Sequence, residues 1–324
     1  CQGAGWCATP CPTGAITYVY PRVSDSLAKL GTLLKMYRAG GGTRAVVLFH
    51  DAELGKACIA DVAAQLPENV IPVEIADIGA AGMDIWLSVL AYGPARVGLL
   101  VTPMTPPSVR ATLDAHLSYT PAILDGMGYP TECLGAYDAD GSSLIASLAA
   151  HAAMPNIKPG TFAGMDEKRT TLRLAVEHLY QHAPKPRAEA ALPAGAPFGQ
   201  IQVNRDTCSL CMACVSVCPA SALADGGDVP QLNFIEANCV QCGLCEQACP
   251  EDAVTLQARY LYDPDKRRAN RVLNEETPFH CIRCGKPFAT QKMMEKMTAT
   301  LKDHWMFDKP EALQPVRMCG DCRG

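Results

Sequence analysis

Residues 208–219 read CSLCMACVSVCP, and residues 239–250 read CVQCGLCEQACP. Each run is Cys-x2-Cys-x2-Cys-x3-Cys-Pro, and the second repeats the first at an offset of 31 residues. Nothing else in the chain limits its fold so tightly. The first three thiols of a run wrap three corners of an inorganic cube. The fourth corner lies beyond the loop's reach. Eight cysteines in this arrangement are the ligand spacing for two [4Fe–4S] clusters. No ligand position is replaced, so neither a three-iron site nor an open catalytic iron is expected. The short strand patterns Ile201-Gln202-Val203 and Leu232-Asn233-Phe234 precede the first ligands at matching positions, so the duplication extends past the cysteines.

At 324 residues the chain is too long for one such module, and roughly two or three domains are expected. Its 17 cysteines are odd in number and grouped as CxxC, unlike the paired cysteines of a secreted disulfide framework. Cluster and metal ligation in a reducing compartment is the expectation, with a cytoplasmic location. A net charge of −5 gives no reason to expect nucleic acid as a partner. The longest apolar stretch, 85–101, is broken by Gly93-Pro94 and carries Arg96, so no membrane span is expected.

A third trace of the motif stands at the start. Cys7-x3-Cys11-Pro12 is followed by Thr-Gly-Ala15-Ile16, as the later prolines are followed by Ala-Ser-Ala222-Leu223 and Glu-Asp-Ala253-Val254. Cys1 sits six residues before Cys7 rather than three. Cys7, Cys11 and Cys1 are therefore read as an incomplete N-terminal cluster motif, its remaining ligands expected upstream.

Residues 24–38 have a helical apolar face, with Ser24 as the expected cap. Apolar runs at 45–49, 70–75, 97–101 and 133–137 then alternate with helical patterns at 52–66, 83–91, 108–124 and 142–153. Short apolar strands between helices predict a parallel sheet with helices on both faces. The loop after the first strand, His50-Asp51-Ala52-Glu53, is acidic, and Pro103, Pro106 and Pro107 follow the third strand. Neither loop suits a phosphate, so a docking role is expected. Cys58, Cys133 and His50 are read as structural. A further helix is expected over 161–182. The Ala- and Pro-rich stretch 183–199 reads as a semi-rigid linker, and 259–276 as a solvated basic connector.

Near the C-terminus, Cys281-x2-Cys284 and Cys319-x2-Cys322 are separated by 34 residues that include a helical stretch at 291–301. Two knuckles supplying four thiolates suit a tetrahedral structural Zn²⁺, with a single iron as the alternative. His280 stands beside them, but four cysteines already complete such a site.

Residues 208–250 resemble bacterial-type two-cluster ferredoxins. The resemblance implies crossed ligation, the Cys-Pro cysteine of each repeat serving the other repeat's cluster. Cluster I then takes Cys208, Cys211, Cys214 and Cys249, and cluster II takes Cys239, Cys242, Cys245 and Cys218. Residues 44–137 resemble the delta subunit of methyl-viologen-reducing hydrogenase, a family also found fused to heterodisulfide reductase components. That family places a [2Fe–2S] cluster here. Only Cys58 and Cys133 are present, so this cluster is not carried over. The whole arrangement is similar to the iron–sulfur proteins associated with formate dehydrogenase.

The expected architecture is α/β plus α+β: a parallel-sheet α/β domain, a ferredoxin-like dicluster domain and C-terminal zinc-ribbon-like knuckles. The expected partition is 1–22, the end of an incomplete ferredoxin-type cluster domain; 23–182, an α/β docking domain; 183–199, the linker; 200–260, the 2[4Fe–4S] domain; and 261–324, the four-cysteine region. The expected function is single-electron relay within a larger redox complex, with redox proteins or a catalytic subunit as partners and no catalysis of its own. The alternatives are an oxidoreductase with a catalytic domain upstream and a zinc- and cluster-dependent assembly or regulatory factor.

Overall fold

Four apolar strands this short cannot bury themselves singly, and in the computed structural model they assemble into one parallel sheet. The structure describes residues 5–149, 154–227, 229–307 and 310–324. Cys1 and the last four residues of the helical pattern at 142–153 lie outside them. The chain divides into two compact units, one of Cys1–Ala196 with Arg259–Pro264 and the other of Pro197–Ala258 with Asp265–Gly324.

The first unit runs through α1 (Val23–Ala39), β1 (Val46–Asp51), α2 (Leu54–Val62), β2 (Val70–Ile75), α3 (Met83–Ala91), β3 (Arg96–Val101), α4 (Pro107–Gly126), β4 (Leu134–Asp138), α5 (Gly141–Ala149), α6 (Lys168–Gln181) and β5 (Glu189–Ala191). The sheet order is β2-β1-β3-β4, with parallel pairing throughout. Pro72 lies in β2, an edge strand, where a missing N–H costs no ladder bond. On one face Val46, Leu48 and Leu100 pack with Val62 of α2 and Leu144 and Leu148 of α5. Val47, Phe49, Val97 and Leu99 alternate with them and are equally buried, so they point to the other face. There α3, buried along its whole length, packs on β3, α1 and α6.

Local chemistry moves three boundaries. Ser24 does not cap α1; the helix starts at Val23, and the Ser24 hydroxyl donates to Asp166 Oδ1 at 2.7 Å. The helix expected from 161 starts at Lys168, because Glu167 caps it by accepting from the N–H groups of Arg169 and Thr170. The helix expected over 52–66 is α2 followed by a 3₁₀ turn, Ala63–Gln65. Within 183–199, β5 pairs antiparallel with residues 259–261. Just beyond, the buried Tyr262 donates to Ile123 O at 2.5 Å and stacks on Tyr180 at 4.7 Å between centroids.

The second unit contains β6 (Gly199–Val203), α7 (Ala213–Ser216), β7 (Leu223–Gly226), β8 (Val229–Phe234), α8 (Leu244–Gln247) and the first part of β9 (Val254–Leu261). After α9 (Pro264–Arg268) come β10 (Arg271–Glu275), β11 (Pro278–His280), β12 (Pro287–Thr290), α10 (Gln291–Lys302) and α11 (Gly320–Arg323). Each cysteine repeat has one strand before its ligand loop and one after. The pairs are exchanged: β6 of the first repeat pairs with β9 of the second, and β7 of the first with β8 of the second. β10 extends the β7–β8 pair, and β11–β12 form a separate hairpin.

Candidate cluster and metal sites

The exchanged strands dictate which cysteines meet. Antiparallel β6–β9 pairing sets Val203 opposite Val254, and the Asn204 N–H donates to Ala253 O at 2.8 Å. The chain leaving β6 toward Cys208 therefore runs beside the chain that enters β9 from Cys249. One repeat later, Ile235 N–H donates to Ala222 O at 2.9 Å, which sets the chain toward Cys239 beside the chain from Cys218. Cys208, Cys211, Cys214 and Cys249 line one cavity, walled by Leu210, Leu232 and Val254.

The loops between ligands follow one conformation twice. Leu210 and Met212 have φ of 56° and 60°, and Gln241 and Gly243 have 54° and 81°. Ser221 and Asp252, three residues after each Cys-Pro cysteine, have 49° and 48°. Left-handed backbone is costly for residues with a Cβ. Its recurrence at matching positions gives the two ligand loops the same backbone turns. The short helices α7 and α8 follow at matching places and pack together.

These thiols share a core with the apolar side chains. Cys208, Cys214, Cys239 and Cys245 are buried among Ile201, Leu223, Leu232, Phe234 and Val254, while Cys211 and Cys242 are exposed. Burial first, then Cys208, Cys211 and Cys249, pushes the Cys214 thiol up to about 11. Burial, then Cys239 and Cys242, pushes Cys245 up to about 12. Groups held so far from ionisation suit a bound cation that supplies the missing positive charge. Backbone donors also aim at sulfur: the Ala222 N–H at Cys218 Sγ and the Ala253 N–H at Cys249 Sγ, both 3.3 Å. The donor set, the apolar wall and the N–H groups on sulfur fit four-iron clusters.

Residues 207–254 match the 4Fe-4S dicluster domain family. A comparison of the chain with curated proteins gave no match. The dicluster domain supports an iron–sulfur electron-transfer role, and ferredoxin-like domains of this kind pass electrons to redox partners. Among the described residues no helix is long and apolar enough to cross a membrane.

The C-terminal cysteines form a tighter group. One Sγ from each of Cys281, Cys284, Cys319 and Cys322 lies within 4.8 Å of the others, the one such group among the described residues. Four thiolates at ~2.3 Å on a tetrahedral ion stand about 3.8 Å apart, and Cys284 Sγ and Cys319 Sγ are 3.7 Å apart. The knuckles support each other. Cys319 N–H donates to Cys281 Sγ at 3.3 Å, Ile282 N–H to Arg317 O at 3.2 Å, and Arg283 Nη1 to Cys322 O at 3.1 Å. Burial opposes the Cys281 thiolate, but the N–H groups of Cys319, Cys284 and Arg283 outweigh it and lower that thiol to about 6. This group could hold one metal ion, separate from the dicluster domain. His280 lies on β11, outside the sulfur group.

At the N-terminus, Cys7 ends a 3₁₀ turn and is exposed, and Cys11 is half-buried. Partial burial opposes the Cys11 thiolate, but the Thr13 hydroxyl and the N–H groups of Ile16, Thr13 and Gly14 bring it down to about 7. The loop's carbonyls converge on α6. Lys168 Nζ donates to Ala8 O at 3.0 Å, to Thr9 O and to Cys11 O at 3.3 Å, and Arg169 Nη1 donates to Pro12 O at 3.1 Å. Nothing in the sequence ties Lys168 to a loop some 157 residues earlier. A cavity of about 580 Å³ lies beside the loop, lined by Thr9, Tyr18, Leu30, Phe49, Asp84 and Lys168 among others.

The remaining cysteines stand apart. Cys133 is fully buried, and burial pushes its thiol up to about 12. Cys58 is half-buried on α2, raised by burial and then by Asp61 and Asp140. His50 Nδ1 meets Asp51 O at 2.8 Å, while Asp51 Oδ1 takes the N–H groups of Glu53 and Gly55, using those amides within the loop.

Proposed function

We propose that the chain is an iron–sulfur electron-transfer protein or subunit within a larger redox complex, formate dehydrogenase-like or hydrogenase/heterodisulfide reductase-like. The observation that carries this reading is the exchange of strands between the two repeats, which runs Cys249 beside Cys208 and Cys218 beside Cys239. It supports crossed ligation, with Cys208, Cys211, Cys214 and Cys249 holding one cluster and Cys239, Cys242, Cys245 and Cys218 the other. When bound, each cluster supplies a one-electron redox centre. The chain's residues do the rest. Leu210, Leu232 and Val254 keep water off the first site, the Ala222 and Ala253 N–H groups steady the crossing sulfurs, and exposed Cys211 and Cys242 mark where each site comes nearest the surface. Cys7 and Cys11, with Cys1, are ligands of a third cluster. The C-terminal tetrathiolate holds zinc, in zinc-ribbon-like knuckles, and the α/β domain serves as a docking platform.

Iron, acid-labile sulfide and zinc analysis of anaerobically purified protein tests this directly. About eight irons are expected for the two sites, with one zinc that Cys322→Ser removes while that iron stays. Failure of these sites to bind iron refutes the relay reading. Iron in place of zinc at the C-terminal site refutes the zinc assignment alone.

A second reading, an oxidoreductase with a substrate site of its own, has the cavity beside the Cys7–Cys11 loop in its favour, since about 580 Å³ falls in the size range of small-molecule sites. Cluster reduction by formate or a reduced nicotinamide with no partner protein present would support it; reduction only through a protein donor would favour the relay.

A further inference from the structure

The dicluster repeats are alike within themselves but not in what covers them. Thr290 caps helix α10: its hydroxyl accepts from Met293 N–H at 3.1 Å and donates to Ser209 O at 3.5 Å, beside Cys208. Two residues on, Lys292 Nζ donates to Arg205 O at 2.7 Å. One turn later Lys296 forms an ion pair with Glu251. Glu251 follows Cys249-Pro250 and lines the cavity formed by Cys208, Cys211, Cys214 and Cys249. Thus α10 spans one side of the first site. At the 31-residue offset Glu251 becomes Ala220, so the second repeat lacks the carboxylate that Lys296 meets; the Ser209 and Arg205 contacts are to backbone oxygens.

In sequence the helix lies between the two halves of the sulfur group. Cys281 and Cys284 sit in the β11–β12 hairpin on which α10 packs, and Cys319 and Cys322 close the loop behind it. α10 buries Met294 and leaves Met297 and both lysines partly exposed, so a metal on these four thiolates would add a tie to a helix with a small buried face.

We propose that the C-terminal tetrathiolate is a clasp that keeps Lys296 on Glu251, so that its metal sets the reduction potential of one cluster and not the other. The proposal rests on the reading of Cys208, Cys211, Cys214 and Cys249 as one cluster's ligands. A carboxylate at the wall of that site repels the electron the cluster takes up and lowers its potential; an ammonium held on the carboxylate cancels this. Lys296 is thus a positioning residue, acting through Glu251. Release of the metal frees α10, separates the pair and leaves Glu251 facing the cluster alone.

The test is an anaerobic redox titration of the full chain, read by electron paramagnetic resonance, with metal content measured on each sample. Lys296→Met is expected to lower one of the two dicluster potentials and leave the other in place. Lys296→Met combined with Glu251→Gln is expected to restore it. Cys319→Ser, which removes the C-terminal metal, is expected to reproduce the downward shift and to raise amide exchange across residues 291–302. Cys319→Ser with Glu251→Gln is expected to show the exchange but no downward shift. Unmoved potentials in Cys319→Ser, or a shift that survives Glu251→Gln, overturn the clasp while eight irons still uphold the dicluster reading. Wild-type protein that binds no iron at these cysteines overturns both.

Discussion

Leu232 and Ile201 offer a paired measurement that tests packing and function together. Both are buried, at 1% and 2% exposure, and they stand 31 residues apart at the same place in the two repeats. Leu232 lines the Cys208/Cys249 cavity; by the repeat, Ile201 walls the other site. Leu232→Ala deletes three carbons, worth about 2.4 kcal/mol at ~0.8 kcal/mol each, and a residual void brings the cost to about 3 kcal/mol. For cooperative unfolding of a unit this size, that lowers the melting midpoint by on the order of 10 °C. Ile201→Ala is expected to cost a similar amount. Anaerobic melting, followed both in the visible absorption of the clusters and in far-ultraviolet circular dichroism, reads the magnitude. Spin-resonance signals after brief air exposure read the location. Leu232→Ala should make one cluster labile and Ile201→Ala the other. A loss below about 1 kcal/mol, or the same cluster damaged by both variants, would refute the reasoning from the repeat.

Cys218→Ser is expected to cut dicluster iron from about eight to about four, sparing the site of Cys208, Cys211, Cys214 and Cys249; loss of that site instead disproves crossed ligation. Lys168→Met removes the donor shared by Ala8 O, Thr9 O and Cys11 O, and alkylation of Cys7 and Cys11 should become several-fold faster; unchanged rates would show that α6 does not hold the loop. His116 is buried, and burial, followed by the Lys168 charge, lowers it to about 4. It is neutral when folded and takes up a proton near pH 6.5 when unfolded. Its contribution is therefore complete above about pH 6.5 and is lost as pH falls toward 4, at up to about 1.4 kcal/mol per pH unit. His116→Gln should flatten that part of the stability profile, and an unchanged slope would assign it to other groups.

What the sequence made legible and what it hid differ in physical kind. Cysteine spacing reflects a demand made within one loop, so both ligand runs stand out without any knowledge of the fold. Strand and helix alternation over 45–138 is likewise local, and it led to the parallel sheet. The tetrathiolate was visible as two knuckles, though not its place beside α10. The contacts that organise the sites were hidden. Lys168 reads as one more charge in a helix, and its three carbonyl partners are fixed only when α6 folds against the N-terminal loop. Glu251 and Lys296 are 45 residues apart and carry no shared pattern. β5 lies in an Ala- and Pro-rich stretch without alternation, and its pairing depends on residues 259–261 arriving beside it. Glu167 and Asp166 were both visible as acidic residues near a helix start, but which one caps the helix depends on where the first turn closes.

The left-handed residues of the ligand loops bear on the life of the protein in the cell. Leu210, Met212, Ser221, Gln241 and Asp252 hold backbone that costs on the order of 1–3 kcal/mol each. In this unit the cysteines themselves form much of the core. Cluster binding would offset that cost, so the iron-free polypeptide is expected to be cleaved faster by proteases than the loaded one. The amount of this protein would follow iron and sulfide supply even at constant synthesis, so that a starved cell sheds the carrier along with its cargo.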